Sequence, residues 1–160
     1  MIRHANIQDL PDIFHVYGTA RKFMADNGNE SQWGNTYPGN ELIEEDIEKK
    51  QLYVYEHDDK IHGVFAFMTG EDPTYSYIED GSWISGASYG AIHRVASDGT
   101  RNGVLTKCLD YCKKQCSHLR IDTHENNGIM KHLIQKNGFI KCGTIYAENG
   151  SPRVAFEYVE

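Results

Sequence analysis

The run of roughly 18 apolar residues that a membrane span needs is absent from this 160-residue chain. Its first residues, MIRHANIQDL, lack the apolar stretch of a signal peptide. The expectation from both absences is a cytoplasmic protein with no membrane partner. Basic residues are the minority charge, 16 against 23 acidic, for a net charge of −7, and no cluster of Lys and Arg offsets the deficit. That argues against nucleic acid as a partner, whose phosphates would be repelled, and biases the surface toward cationic ligands. The four cysteines, Cys108, Cys112, Cys116 and Cys142, lack the CxxC-type spacing and convergent histidines of a metal site. The first three step by four along one helix and read as small buried hydrophobes, so neither metal nor disulfide is expected. No internal repeat, low-complexity tract or linker stands out, and a single domain over residues 1–160 is expected.

What is present is ordinary in bulk, 39% hydrophobic and 24% charged, and specific in its order. MIRHA reads as a short strand. Asp9 starts a helix that tolerates Pro11 in its first turn and packs through Leu10, Ile13, Phe14, Tyr17 and Met24. NESQWGNTYPGN reads as loop, and ELIEEDIEKK as a second helix packing through Leu42, Ile43 and Ile47. QLYVYEH and KIHGVFAFM form a hairpin around Asp58-Asp59. A long irregular piece, TGEDPTYSYIEDGSWISGASYG, precedes the strand AIHRVAS, the turn DGTRNG and the helix VLTKCLDYCKKQC. The strand LRIDTH, the helix GIMKHLIQK closed by Gly138, and a hairpin of FIKCGTIYA with SPRVAFEYV complete the chain. The order β-α-α-β-β-β-α-β-α-β-β implies an α/β (α+β) fold, a mixed sheet with helices on both faces.

Two segments carry chemistry. In IHRVASDGTRNGVLTKCL, a turn containing Gly99, Thr100, Arg101, Asn102 and Gly103 feeds directly into a helix beginning Val104, Leu105, Thr106. Such a helix start presents N–H groups and a positive dipole end to an anion, and glycine admits a bulky diphosphate close to the backbone. Arg101 and Lys107 add charge and Thr106 a hydroxyl. By itself the segment also reads as an ordinary strand-to-helix turn. In IDTHENNGIMKHLIQKNGF, Asn126 and Asn127 stand at a helix mouth, where asparagine is a preferred cap.

Together with the element order, these two segments make nearly the whole chain resemble the GNAT superfamily of N-acetyltransferases. Asn127 precedes Gly138-Phe139 by the spacing of that family's N-x-x-A-…-G-F motif. The resemblance implies a mostly antiparallel twisted sheet with a central splay between AIHRVAS and the following strand. It implies acetyl-CoA as co-substrate, with its pyrophosphate at the turn, its pantetheine arm along Val95, Ala96 and Ser97, and Asn127 near the arm's amide or thiol. The turn departs from the family pattern R/Q-x-x-G-x-G/A. Gly103 fits the first glycine, Leu105 stands where a second small residue is usual, Thr100 falls where Arg or Gln is usual, and the turn is about two residues short. A further departure lies in the last helix: the family's thiolate-protonating tyrosine corresponds to Ile134.

Acetyl transfer to an amine needs a base for the amine proton, donors for the thioester oxygen and, where used, an acid for the thiolate. His93 on the central strand is the expected base and His124 the second candidate, each also readable as a hydrogen-bonded structural histidine. Tyr146 is the first candidate for the missing acid and His124 the second. Trp33, Tyr37, Trp83 and Tyr89 crowd the irregular segments and are expected to line an acceptor pocket, with Glu79 binding a cationic amine. The expected acceptor is a small-molecule or peptide amine. A non-catalytic acyl-CoA-binding module is the second reading, and an aromatic-lined binding domain without coenzyme the third. Oligomeric state is left open, a homodimer included.

Overall fold

The structure is a computed structural model describing residues 1–160. Contacts divide the chain into two units, Met1–Phe67 with His93–Tyr111, and Met68–Ile92 with Cys112–Glu160. No helix is long and apolar enough to cross a membrane.

The first unit contains β1 (Ile2–His4), α1 (Leu10–Asp26), α2 (Glu30–Trp33), α3 (Asn40–Glu48), β2 (Leu52–His57) and β3 (Lys60–Thr69). It also holds the later part of β4 (Gly90–Ser97) and the start of α4 (Val104–Gln115). The second unit contains the last two residues of β3, the opening residues of β4, the end of α4, then β5 (His118–Thr123), α5 (Gly128–Lys136), β6 (Ile140–Tyr146) and β7 (Pro152–Val159). Seven strands hydrogen-bond in the order β1-β2-β3-β4-β5-β7-β6. The β1–β2, β2–β3, β5–β7 and β6–β7 ladders are antiparallel, while β4 and β5 run parallel from Gly90↔Leu119 to Ile92↔Ile121. The expected mixed, mostly antiparallel sheet is thus present.

In the first unit, α1 buries Ile13, Val16, Tyr17 and Ala20, one face of a 3.6-residue period. Asp9 precedes its first residue, as expected, but its side chain makes no cap bond to α1. Asn6 caps a 3-10 turn over Ile7–Asp9 by accepting the Gln8 N–H, and Asp9 closes the capping box by accepting the Asn6 N–H at 2.9 Å while it pairs with Arg3 at 2.8 Å. The segment expected to be loop contains the four-residue α2, whose Trp33 packs edge-on to Tyr17 with ring centroids 5.7 Å apart. The β2–β3 hairpin turns at Asp58 and Asp59, at φ 51° and 61°, as a tight two-residue turn requires. Gly63 on β3 is a close-approach position: a Cβ there would stand 2.6 Å from Val104, so only glycine lets the first turn of α4 seat against this strand.

In the second unit, the irregular segment before β4 is fixed to β6. Glu79 and Thr144 exchange two backbone hydrogen bonds of 2.8 Å. The contact needs Gly81 and Gly143, because a Cβ on Gly81 would meet the Cys142 carbonyl at 1.9 Å and one on Gly143 the Glu79 carbonyl at 2.4 Å. Further along, the fully buried Glu157 accepts from His118, from Arg120 and from the Ile84 N–H. Those donors hold its carboxyl below the usual range against the opposing pull of burial. Arg120 also bonds the Ser85 carbonyl and His118 the Ser88 carbonyl, so one charged knot fastens residues 84–88 to β5 and β7. Cys108, Cys112 and Cys142 are buried and in no disulfide, with Cys108 pushed up to about 12 and Cys142 to about 11 chiefly by burial, whereas Cys116, expected to be buried, is only half-buried just past the end of α4.

Candidate active site

The site is built on β4. Arg94 lies at φ 52°, a left-handed conformation that a non-glycine residue in a strand adopts only when its surroundings hold it, at a cost of about 1–3 kcal/mol. The holding groups are explicit. Arg94 reaches Asp46 of α3 with two hydrogen bonds of 2.8 and 2.9 Å, and Asp46 is 1% exposed. The buried Tyr17 of α1 donates its hydroxyl to the Arg94 carbonyl at 2.9 Å. The strand therefore changes course two residues after Ile92, the last residue of its registered parallel ladder with β5. His93 is half-buried immediately before this kink, and Val95, Ala96 and Ser97 follow it.

Beyond Ser97 the chain turns into α4. Asp98 shapes the turn, accepting the Thr100 N–H at 3.0 Å and the Thr100 hydroxyl at 2.8 Å, with the His62 ring nitrogen 3.0 Å away. These donors outweigh burial and hold the Asp98 carboxyl below its ordinary range. Gly99 and Gly103 both lie at φ 75°, and no atom comes within 4 Å of where a Cβ would stand on either. The Gly103 carbonyl accepts the Lys107 N–H at 3.0 Å, which begins α4. Lys107 also donates its ammonium to the Tyr55 hydroxyl at 3.0 Å, and this bond, with Arg101 contributing, lowers the phenol's pKa. A helix start with open glycine positions, Arg101 and Lys107 is a setting for an anion. A groove of about 670 Å³ lies beside the turn, its wall carrying Asp12, Asp58, Asp59 and Asp98 together with Lys60, Arg101 and the histidines His15, His57 and His62. No group of three or more His, Cys, Asp or Glu side chains is placed to hold a metal ion.

In the second unit, His124 follows β5 and its Nδ1 accepts the Asn126 N–H at 3.0 Å. Burial first, then the Arg153 charge, lowers its pKa, so the ring is held neutral and its acid role is weakened. Asn127 caps α5, its side-chain oxygen accepting the Met130 N–H at 3.1 Å. Ile134 is fully buried, so the position of the absent tyrosine is a packing position. The Tyr146 hydroxyl donates to Glu79 at 2.7 Å, which raises its pKa and makes it a poorer acid than expected.

The aromatic residues divide. Trp83 and Tyr89 are not bare pocket walls. They enclose Arg120, whose guanidinium carbon lies 4.0 and 4.1 Å from the two ring centroids. Trp83 also donates to the Tyr75 carbonyl, and the Tyr89 hydroxyl accepts the Asp72 N–H. A cation of the protein itself takes the ring faces that a ligand would need, because Arg120 must stay charged beside buried Glu157. Trp33 is buried against Tyr17, while Tyr37, with its ring 6.1 Å from Trp33, stays exposed. Sequence reasoning missed Arg94, Asp46, Tyr17, Tyr55 and His62. A signal existed for two of them: an arginine inside a strand of small and apolar residues, and an aspartate on the apolar side of α3 beside Ile43.

No protein-family model and no curated protein sequence matches the chain. Solved structures do. An acetyltransferase of the GNAT family from Streptococcus agalactiae is 26% identical over 100% of this chain and 95% of its own, with a TM-score of 0.89. An acetyltransferase from Staphylococcus aureus is also 26% identical, over 99% of this chain and 98% of its own, with a TM-score of 0.71. At 16% identity, a likeness of fold alone, the ribosomal-protein-alanine N-acetyltransferase from Brucella melitensis aligns over 100% of this chain and 99% of its own, with a TM-score of 0.66.

Proposed function

We propose that this chain, similar over its whole length to acetyltransferases of the GNAT family, moves an acetyl group from acetyl-CoA directly to a primary amine of a small molecule or peptide. The observation that carries this reading is the path of β4, kinked at Arg94 and delivered into the Gly99–Gly103 turn and the start of α4. The residues fit a coenzyme diphosphate: both glycines leave their Cβ positions open, and Arg101 and Lys107 supply positive charge.

In this proposal the backbone from Val95 to Ser97 lines the coenzyme arm. The turn residues Gly99, Thr100, Arg101, Asn102 and Gly103, with Val104, Leu105 and Thr106, hold the diphosphate end, and Asn127 adds a contact beyond its cap. Acetyl-CoA supplies an activated acyl group as a thioester. His93 takes the proton of the acceptor amine, a task suited to an imidazole. The acceptor contacts of this proposal are Tyr37 and Glu79. Replacing His93 with Gln should lower kcat by about 10²–10⁴-fold and remove the acid limb of the pH–rate profile, with acetyl-CoA affinity kept. Normal turnover in a variant that merely melts earlier would make His93 a packing residue.

Buried Ile134 and the engaged Tyr146 phenol favour one second reading, a module that binds acyl-CoA without turnover. Two measurements decide. Thermal shift with acetyl-CoA tests binding, since a ligand at 100 times its Kd stabilises by about 2.7 kcal/mol. Coenzyme A release against a panel of amines tests transfer, and binding without release would select the second reading.

A further inference from the structure

A second constellation stands in the irregular segment before β4. The Glu79 carboxylate accepts the Tyr77 hydroxyl at 2.7 Å on one oxygen and the Tyr146 hydroxyl at 2.7 Å on the other. Both donors are neutral phenols, and no cation is among the groups acting on this carboxylate. Those two bonds lower its pKa and favour the ionised form, and neither phenol brings a compensating charge. The neighbouring Asp80 deepens the negative field at both tyrosines. The rings are open to solvent, Tyr77 at 59% exposure and Tyr146 at 37%.

The arrangement is also fixed in place. The paired 2.8 Å backbone bonds between Glu79 and Thr144 pin the carboxylate's own residue to β6, the strand that carries Tyr146. Gly81 and Gly143 permit that contact, since a side chain on either would collide with backbone. Groups positioned before a ligand arrives lose little freedom on binding it.

We propose that Tyr77, Glu79 and Tyr146 form a binding site for an organic ammonium group, an alkylammonium or its methylated forms. Each carboxylate oxygen has spent one lone pair on a phenol and retains another for an N–H donor or a close positive charge. The exposed phenol rings beside the carboxylate are surfaces of the kind that attract a cation. Anionic ligands are repelled here, and a neutral alcohol has no charge to match the carboxylate. This deepens the amine-acceptor reading, on which it rests only for the identity of the cation in the cell. The site is tested without coenzyme, so its failure would leave acetyl-CoA binding and turnover as separate results.

Protein carrying ¹³C-labelled tyrosine rings is titrated at constant ionic strength with n-butylammonium chloride, with tetramethylammonium chloride and with n-butanol. The Tyr77 and Tyr146 ring signals should shift saturably with both ammonium salts and stay unmoved by butanol. Glu79→Gln should weaken butylammonium binding by up to about fivefold. Tyr77→Leu, at a solvent-exposed ring, should also weaken it while leaving the Glu79–Tyr146 bond in place. Unsaturable shifts, an equal response to butanol, or unchanged affinity in folded Glu79→Gln and Tyr77→Leu would overturn the proposal and leave the cluster as a tether between two segments.

Discussion

Helices α4 and α5 both follow a strand, and both begin at a residue that decides what their N-terminal end is used for. At α4 that residue is Gly103, at φ 75° with empty space where a side chain would stand. At α5 it is Asn127, whose carboxamide folds back onto the Met130 N–H. One helix mouth is left open by the absence of a side chain, and the other is closed by the presence of one. The strands that deliver them differ in the same way. Before α4, β4 carries a strained arginine held by Asp46 and Tyr17. Before α5, β5 ends in regular pairing with β7, through Thr123↔Val154. The lesson is that two strand-turn-helix units with similar outlines differ in kind: α5 is capped by its own side chain, and α4 starts at an open glycine after a strand that stores strain.

The contrast is broken most completely at Gly103. Gly103→Glu places a carboxylate in the open mouth of α4 and forces a bulky residue to a positive φ. Acetyl-CoA binding, measured by calorimetry, should fall below detection while circular dichroism shows a folded protein. Undiminished affinity would remove the coenzyme from this turn. Next in size is Asp46→Ala, which leaves the Arg94 guanidinium buried without its partner. Loss of one member of such a pair costs about 3–5 kcal/mol, so denaturant midpoints should drop sharply, with coenzyme affinity falling as the kink relaxes. A change within a few tenths of a kcal/mol would mean that Arg94 is not held as described.

At the other mouth, Asn127→Ala should cost only about 1 kcal/mol, the ordinary value of a lost cap. Asn127→Asp keeps a capping oxygen and should recover that stability. Acetyl-CoA affinity of the Asp variant then isolates any second role, because only the amide donor has changed. Smallest is the titration of His124, just before that cap. Its folded pKa lies below the ordinary value of about 6.5, so in the interval between the two the unfolded chain binds more protons. Its contribution to stability is complete above about pH 6.5 and declines as pH falls toward the folded value. An NMR titration of the His124 ring with a midpoint above 6.5 would contradict the burial that sets this sign.

Much of the architecture was legible in the residues. The hairpin at Asp58-Asp59, the helix stop at Gly138, the packing cysteines and the sequence of strands and helices rest on local chemistry: turn preference, period and caps. The glycine turn before α4 was legible for the same reason, since glycines at a helix start act through neighbouring backbone. The aromatic assignments were not. Trp83 and Tyr89 are far in sequence from Arg120, and nothing local to them announces that an arginine made to face buried Glu157 will lie between their rings.

Sequence by itself therefore determined the element order, the position of the glycine turn and the absence of a tyrosine at Ile134, because each depends on residues within a few positions of one another. Only the tertiary structure decided that Arg94 kinks β4, that Asp46 and Tyr17 hold it there, and that Tyr146 spends its proton on Glu79. Those facts join residues separated by 48, 77 and 67 positions. A buried charge or a strained backbone is stable only when such distant partners converge on it, and convergence is a property of the folded chain.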